Sequence, residues 1–266
     1  MKSQIIVFGN EKGGSGKTTV SIHVAIYMAS KGYSVGAIDL DVRQKSFGRY
    51  IENRTSYADN HKISLPIPKT VIYPESEVNN QQYIADLINK MADNHDLIII
   101  DTPGSTSIAS CMAHSMADII ITPINDSFVD LDLLGQVKNN DYNQIIPGIY
   151  SETIWNQKLK KAKETNSTID WIVIRNRLSN LEAKNKHNVE RILSLLSKKF
   201  GFRICSAFSE RVIFRELFTK GLTLVDIINV KKEKPILSHV AARQELRNLV
   251  DDLGLLNNIP QAIINF

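Results

Sequence analysis

The sequence predicts an α/β fold, with a mostly parallel, twisted β-sheet and helices on both of its faces. Short, nearly continuous apolar runs such as SQIIVFG and DLIIID have the length of buried strands. Stretches of helical length separate them, and strands that alternate with helices are typical of a parallel sheet covered on both faces. In such a sheet, ligands bind at the carboxyl ends of the strands.

The elements follow one another in a regular order. A strand over SQIIVFG is followed by a helix over TTVSIHVAIYMASKG, which Gly32 is expected to end. SVGAIDLD is the second predicted strand, YIADLINKMADNH an amphipathic helix, and DLIIID the third strand. Further strands are predicted over ADIIITPI, IDWIVIRN and FRICSAF, and a last helix near Ser238–Leu253. The proline-containing stretch 53–79 is expected to be a surface excursion, so residues 1–266 are expected to form a single domain.

The composition is that of an ordinary globular protein of the cytoplasm. Hydrophobic residues make up 43% and charged residues 23%, as in soluble globular proteins. No signal peptide is recognisable, and no apolar run approaches the roughly 20 residues of a membrane-spanning helix. Cys111 and Cys205 are too few for a disulfide framework, which favours a reducing compartment.

A glycine-rich loop, NEKGGSGKTT over residues 10–19, lies directly behind the first predicted strand. Glycines allow the backbone dihedrals at which N–H groups hold a phosphate, and the helix that follows adds the positive end of its dipole. Lys17 is expected to reach the β- and γ-phosphates of a nucleotide, and the Thr18 hydroxyl to bind Mg²⁺. The residues expected to contact the nucleotide here are Gly13, Gly14, Ser15, Gly16, Lys17, Thr18 and Thr19.

Three aspartates end the second and third predicted strands. Asp101 is expected to hold Mg²⁺ through water, which completes a site for a nucleoside triphosphate. Asp39 and Asp41 are expected on one side of their strand, because side chains alternate. One of them is expected to order the Mg²⁺ shell and the other to position the attacking water, although either could instead cap a nearby loop.

Lys12 is a second lysine in a loop that already has one for the phosphates, and Glu11 stands where the ordinary pattern has a glycine. Charge stabilisation in phosphoryl transfer is often supplied by a cationic side chain from a partner molecule. Lys12 is suited to that role if two copies of the chain face each other across their nucleotides. An ordinary solvated lysine explains the residue equally well on physical grounds.

Three of these stretches resemble one family of phosphate-loop ATPases. KGGSGKT is similar to the deviant phosphate loop of the ParA/MinD family, and VGAIDLD and LIIIDTPG are similar to its next two motifs. The resemblance implies that Lys12 reaches across an ATP-sandwich dimer and is catalytic together with Lys17. It also implies that Asp41 positions the hydrolytic water. ATP and Mg²⁺ are the implied cofactors.

Segments that extend from the first strand to the last helix are more specific. Six stretches resemble the MipZ family of division-plane positioning ATPases: GNEKGGSGKTT, DLDVRQKSFGRYIENR, PINDSFVDLDLLG, DWIVIRNRLSNLEAKN, FRELFTKGLTLVD and HVAARQELRNL. This resemblance implies slow hydrolysis and an ATP-bound homodimer that binds DNA non-specifically. It further implies a ParB-type partition protein and FtsZ as partners, inhibition of FtsZ polymerisation, and a nucleoid-associated location graded from the cell poles.

Two further sets of residues are predicted to bind nucleotide or DNA. Arg175 and Asn176 follow the strand IDWIVI and are expected near the adenine, although Asn176 could instead cap a loop. Residues 155–220 contain 15 Lys and Arg against 6 Asp and Glu, whereas the rest of the chain has 17 against 22. This balance favours a surface that faces a polyanion, with phosphates contacted rather than bases read. The residues expected to bind DNA are Lys184, Lys186, Arg191, Lys198, Lys199 and Arg203.

Other functions of the same scaffold remain as alternatives. The tail LLNNIPQAIINF has no Lys or Arg and contains Pro260, so direct membrane binding is not expected. An iron-sulfur reductase would need paired cysteines, which the chain lacks. A plasmid or chromosome partition ATPase of the ParA type remains open. A metabolic ATP-dependent ligase also remains, although no separate substrate constellation is recognisable.

Overall fold

Alternating strands and helices form the architecture of this protein, described by a computed structural model over residues 3–125, 127–137, 144–178, 183–209, 211–227 and 237–255. The strands are β1 (Gln4–Phe8), β2 (Val35–Asp39), β3 (Lys69–Ile72), β4 (Leu97–Asp101), β5 (Ile119–Asn125), β6 (Gly135–Val137), β7 (Ile145–Pro147), β8 (Asp170–Leu178) and β9 (Arg203–Ser209). The helices are α1 (Lys17–Ser30), α2 (Ser46–His61), α3 (Gln81–Ala92), α4 (Ile108–Met116), α5 (Phe128–Asp132), α6 (Ile149–Thr165), α7 (Ala183–Phe200), α8 (Ile213–Lys220) and α9 (Leu237–Asp252), with a 3-10 turn at Glu75–Glu77.

Seven of the strands form one parallel sheet in the order β3-β2-β4-β1-β5-β8-β9. The register pairs Asp101 of β4 with Phe8 of β1 on one side and with Asp39 of β2 on the other. The carboxyl ends of three adjacent strands therefore lie level with one another, beside the loop that follows β1. The predicted fold class is confirmed, while the antiparallel hairpin of β6 and β7 was not predicted.

Both faces of the sheet are buried, as the apolar strands require. Ile6 and Phe8 of β1 belong to a core that also contains residues of α1, α2, α8 and α9. Ile5 and Val7, which alternate with them, belong to the opposite core, with residues of α3, α4, α6 and α7. None of the helices in the described ranges is long and apolar enough to cross a membrane. The tail 256–266, on which the expectation about membrane binding depends, lies outside those ranges.

The expectation that 53–79 is a surface excursion is wrong for much of that stretch. Residues 53–61 are the second half of α2, and β3 forms one edge of the sheet. Helix α2 presents a buried stripe at helical spacing, made of Phe47, Tyr50, Ile51, Arg54 and Ala58. The stripe is not apparent in the sequence because one of its members is an arginine.

Arg54 is fully buried and paired. Its Nη1 and Nη2 atoms lie 2.7 and 2.9 Å from the two carboxylate oxygens of Asp226, and its Nε donates to the Pro66 carbonyl at 2.8 Å. This bidentate pair joins α2 to the segment that follows α8. Planar, forked hydrogen bonding of this kind is specific to arginine.

We expect Arg54→Ala to lower the free energy of unfolding by about 3–5 kcal/mol, because the substitution leaves the Asp226 carboxylate buried without its partner. Urea unfolding measures the change. Arg49→Ala, at an exposed position of the same helix, is the matched control and is expected to cost less than about 0.5 kcal/mol. Equal losses in the two variants would contradict a structural role for the pair.

The buried histidine of α1 makes the fold sensitive to acid. His23 is fully buried, with its Nδ1 atom 2.7 Å from the Thr19 carbonyl oxygen, and burial lowers its pKa to about 4. In the unfolded chain the imidazole takes up a proton near pH 6.5. Its contribution to stability is therefore complete above about pH 6.5 and is lost progressively as pH falls towards the folded pKa.

Between pH 7 and pH 5 this single group is expected to remove about 2 kcal/mol from the free energy of unfolding. The measurement compares urea unfolding of the natural chain and of His23→Leu at both pH values. The variant is expected to lose about 2 kcal/mol less than the natural chain over the same interval. An identical loss in both proteins would show that other groups dominate acid unfolding.

Candidate nucleotide-binding site

The loop between β1 and α1 has the conformation that a phosphate-binding loop needs. Gly14 and Gly16 have positive φ angles of 74° and 93°, and α1 begins at Lys17. A Cβ atom on Gly13 or Gly14 would meet nothing within 4 Å, so the backbone there is open to a ligand. At Gly16 a Cβ would lie 1.9 Å from Asn176 Nδ2. Glycine is therefore required at residue 16 for both its dihedral angles and the close approach of Asn176.

Asn176 of β8 supports the phosphate loop with a side-chain hydrogen bond. Its Nδ2 donates to the Ser15 carbonyl at 2.8 Å, and the residue lines the cavity beside the loop. Arg175, which was expected near the adenine, is not among the residues that line this cavity. Its Nη1 lies 2.7 Å from Glu190 Oε1 of α7 instead. Neighbouring residues of a strand point to opposite faces, so only one of the two can face the loop.

Thr18 and Asp101, which are both expected to hold Mg²⁺, are in direct contact. The Thr18 hydroxyl donates to Asp101 Oδ2 at 2.6 Å, and the Ser21 hydroxyl to Asp101 Oδ1 at 3.2 Å. Lys17 is buried, and its Nζ donates to the Lys12 carbonyl at 2.9 Å, so the side chain curls back over the loop. Thr19 lines the cavity together with these residues.

Asp39 follows the alternative of capping a nearby loop rather than the expectation that it orders the Mg²⁺ shell, because both of its carboxylate oxygens accept backbone N–H groups. The Asp39 carboxylate is fully buried and accepts backbone N–H groups from Asp41 and Gly48, both at 3.0 Å. Asp39 thus orders the segment between β2 and α2. Asp41 lies in the turn, where its Oδ1 accepts the Gln44 N–H at 3.0 Å, and it lines the cavity beside Lys17 and Thr18.

Three buried ionisable groups share the interior of the site, and burial disfavours the charged form of each. Burial, followed by the Asp39 carboxylate, raises the pKa of Asp101 to about 7. Burial also raises the pKa of Asp39 and lowers that of Lys17. Each shift reflects a charged form that lacks compensation in a site of low polarity, and a bound cation would supply it for the carboxylates.

Oxygen atoms of Thr18 and Asp101 suit Mg²⁺, a hard cation that takes few protein ligands and completes its shell with water and phosphate oxygens. The described residues contain no cluster of three or more His, Cys, Asp or Glu that could hold a metal by themselves. A site with one or two oxygen ligands is therefore consistent with Mg²⁺ bound together with a nucleotide.

Lys12 is not a freely solvated lysine. Its Nζ makes an ion pair with Asp130 of α5, and about a third of its side chain remains exposed. Asp130 is fully buried and is held in place by the Asn125 N–H at 2.7 Å and the Ser127 hydroxyl at 3.0 Å. The stretch NDSFVDLDLLG therefore has a physical role in the single chain, since it carries the counter-ion of the second lysine.

Glu11, which stands where the ordinary pattern has a glycine, binds the phosphate loop to neighbouring elements through its carboxylate. Its Oε1 accepts the Thr106 hydroxyl at 2.7 Å and the Thr153 hydroxyl at 3.3 Å. Thr106 precedes α4 and Thr153 lies in the first turns of α6. The carboxylate thus joins the phosphate loop to two other elements, a role that the sequence did not indicate.

A cavity of about 440 Å³ extends from the loop towards α8. Such a volume is within the range of small-ligand sites. The far walls come from residues that sequence reasoning missed, because neither spacing nor composition marks them. They are Ser209, Arg211, Phe214, Arg215 and Phe218.

The residues predicted to bind DNA do not form one cluster. Lys184 and Lys186 lie in α7, although their side chains are outside what the structure describes. Arg191, Lys198 and Lys199 are exposed on the same helix. Arg203 begins β9, and its Nε lies 3.1 Å from Asp170 Oδ1, so its charge is already compensated. An 18-residue helix extends over about 27 Å, which separates the first members from the last.

The parallel sheet, the glycine loop and the Thr18–Asp101 pair define the class of a phosphate-loop nucleotide-binding protein. The model of the ATPase MipZ family matches residues 4–257, which is nearly the whole chain. The chain belongs to the MipZ family, within the ParA/MinD group of ATPases.

Individual relatives share 30% or less of their residues with parts of this chain. The maintenance of carboxysome distribution protein A of Halothiobacillus neapolitanus is 30% identical over 63% of this chain and 68% of its own length. A putative replication protein A of Rhizobium rhizogenes is 28% identical over 50% of this chain and 43% of its own length, so the chain spans less than half of that relative. The fold resembles that of MinD from Pyrococcus horikoshii complexed with Mg-ADP, with a TM-score of 0.58, 18% identity and coverage of 95% and 97%.

Proposed function

We propose that this protein is an ATP-driven dimerisation switch that hydrolyses ATP slowly and binds DNA non-specifically as an ATP-bound dimer. We also propose that it positions the division plane by inhibiting FtsZ polymerisation. The observation that carries the proposal is the position of Lys12. Its ammonium group pairs with Asp130 and about a third of its side chain is exposed, whereas Lys17 is buried against the loop backbone. A lysine placed there is available to the nucleotide of a second molecule.

Exposed apolar side chains on the same edge of the sheet support face-to-face pairing. Ile108, Val129, Ile149 and Val212 are 45%, 66%, 69% and 70% exposed. Each lies at the start of a helix, and three of these helices follow the carboxyl ends of β4, β5 and β9. Thr153 ties the fourth helix, α6, to the phosphate loop. Apolar groups around one edge are typical of a surface that another protein covers.

The residues of the site have distinct proposed roles. Gly13, Gly14 and Gly16 present backbone N–H groups to the phosphates, and Lys17 contacts the β,γ end. Thr18 and Asp101 hold Mg²⁺, which neutralises charge on the phosphate oxygens when bound. Asp39 keeps the segment after β2 in place, and Asp41 orients the attacking water. Lys12 stabilises charge on the partner's nucleotide. The bound Mg-ADP of the MinD structure supports the assignment of these cofactors.

DNA binding is proposed to come from the basic balance of residues 155–220. Arg191 and Lys198 of α7 are exposed, and pairing two chains doubles the number of phosphate contacts. The affinity is therefore expected to depend on nucleotide and to fall steeply with salt. Membership of the MipZ family is the basis for two further proposals. The partners are a ParB-type partition protein and FtsZ. The protein is distributed in the cytoplasm, associated with the nucleoid and graded from the poles.

The proposal is tested by binding to an unrelated DNA duplex without nucleotide, with ADP and with a slowly hydrolysed ATP analogue, while light scattering records the oligomeric state. Pairing and salt-sensitive binding in the ATP-like state alone are expected. A monomer that ignores DNA in all three states would contradict the switch and favour a metabolic ATP-dependent ligase. A DNA-binding dimer that leaves FtsZ polymerisation unchanged would favour a ParA-type partition ATPase.

A further inference from the structure

A second cavity, of about 400 Å³, lies between α6, the end of α7 and β7. Trp171 and Phe200 line it, and Trp155 stands in its wall with 57% of its surface exposed. Trp171 is the second residue of β8 and therefore lies at the amino end of the sheet. The nucleotide site is at the opposite, carboxyl end, so this cavity does not belong to it.

Two exposed aliphatic residues are sequence neighbours of residues in the cavity wall. Ile146 of β7 and Leu159 of α6 are 38% and 43% exposed, and Trp155 lies on the same helix as Leu159. A tryptophan and two branched aliphatic residues that remain in water next to an apolar depression are typical of a surface that receives another molecule. An aromatic pocket of this size accepts one or two large side chains.

Two lysines give the walls a positive charge. Lys158 Nζ donates to the Gly201 carbonyl at 3.2 Å and lies 5.9 Å from the Trp171 ring centroid. Lys199 Nζ donates to the Ile145 carbonyl at 2.6 Å. Within the described ranges no carboxylate forms an ion pair with either ammonium group. Glu152 is the one acidic residue among the described cavity walls, so the two lysines outweigh it.

We propose that this cavity docks an acidic segment of a partner protein, with an aliphatic or aromatic side chain inserted beside Trp155 and Trp171 and a carboxylate bound to Lys158 and Lys199. The ammonium groups have donors left after their carbonyl contacts, and a carboxylate is the acceptor that they lack. The apolar anchor supplies burial and the carboxylate supplies orientation and selectivity. The surface is free in the single chain and stays free in a dimer formed through the nucleotide face.

The test uses a favourable property of the sequence. The chain has two tryptophans, Trp155 and Trp171, and both line this cavity. Tryptophan fluorescence therefore reports on this site and on no other. The probe is the peptide acetyl-ELFE-amide, titrated to millimolar concentration against the full chain. Two comparison peptides, acetyl-KLFK-amide and acetyl-ESSE-amide, reverse the charge or remove the apolar anchor.

A saturable fluorescence change is expected with the acidic apolar peptide, and at least about fivefold weaker binding of the other two. Lys199→Glu is expected to weaken the acidic peptide by about tenfold and to strengthen the basic one. The substitution also removes the Lys199 hydrogen bond to the Ile145 carbonyl, so improved binding of the basic peptide is the result that excludes a folding artefact. Lys163→Glu, at an exposed position of α6 outside the cavity, is the matched control and leaves both affinities unchanged.

Three outcomes would overturn the proposal. One is no saturable change with the acidic peptide, and another is equal affinity for the acidic and basic peptides. The third is a response to a single-stranded thymidine octanucleotide in the absence of any response to the peptide, which would assign the aromatic and basic walls to base stacking. None of these outcomes depends on ATP, so failure here leaves the proposed switch untouched.

Discussion

Lys12→Ala is expected to abolish ATP-dependent pairing while nucleotide binding to the single chain stays within about threefold of the natural value. In the single chain, Lys17 Nζ donates to the backbone of the phosphate loop, whereas the Lys12 ammonium group pairs with Asp130 of α5. Removal of the second ammonium group therefore spares the chain's own site and removes charge stabilisation from the partner's site. Light scattering with a slowly hydrolysed ATP analogue measures pairing, and calorimetry measures nucleotide affinity.

Asp130→Asn separates this role from a structural one. The amide keeps one oxygen, which can accept the Asn125 N–H, while its NH2 group replaces the oxygen that accepts from Ser127 and Lys12. The substitution therefore cancels the charge that holds Lys12 and preserves the size of the side chain. If Lys12 serves only to neutralise Asp130, Lys12→Ala leaves a buried charge unpaired and destabilises the fold, whereas Asp130→Asn relieves it. If Lys12 acts across the dimer, Asp130→Asn keeps ATP-dependent pairing. A Lys12→Ala protein that still pairs normally would refute the cross-dimer role.

Asp41→Ala is expected to lower the rate of ATP hydrolysis at least about 100-fold and to leave the ATP-bound dimer intact. Asp41 lies in the turn after β2, where one carboxylate oxygen caps Gln44 and the residue lines the cavity beside the phosphate loop. Its loss removes the group that orients water without removing contacts to the phosphates. Steady-state phosphate release and light scattering measure the two effects separately.

Asp39→Ala is the informative comparison, because it is expected to weaken nucleotide binding rather than hydrolysis alone. That substitution leaves the buried N–H groups of Asp41 and Gly48 without acceptors, which disorders the segment and weakens nucleotide binding itself. Hydrolysis that survives in Asp41→Ala but is lost in Asp39→Ala with normal affinity would reverse the two assignments.

Much of the fold could be predicted from sequence because its strands are continuously apolar. Runs such as DLIIID can be buried on both faces in a parallel sheet, and the structure has them there. The hidden half of α2 could not be found in this way. Its stripe includes Arg54, whose burial depends on Asp226, a partner 172 residues away that no local pattern indicates.

The candidate site likewise contains residues that local sequence predicts and residues whose positions depend on distant partners. The loop, Lys17 and the Thr18–Asp101 pair follow from a short motif and from strand ends, and the structure brings them together. Which of Arg175 and Asn176 faces the phosphate loop was harder to predict. The direction of each side chain depends on how β8 is aligned with β5 in the sheet. The Lys12–Asp130 ion pair joins residues 118 positions apart, so charge alone gave no reason to connect them.

The contacts of Glu11 and Lys12 affect the stage of synthesis at which the phosphate loop can take its final shape. Glu11 is held by Thr153 and Lys12 by Asp130, residues that leave the ribosome long after the motif itself, at separations of 142 and 118 positions. A nascent chain that ends before α5 contains the whole glycine motif but lacks both the Asp130 and the Thr153 contacts. The loop is thus expected to reach its final shape only after α5 and α6 have been synthesised and have packed against it.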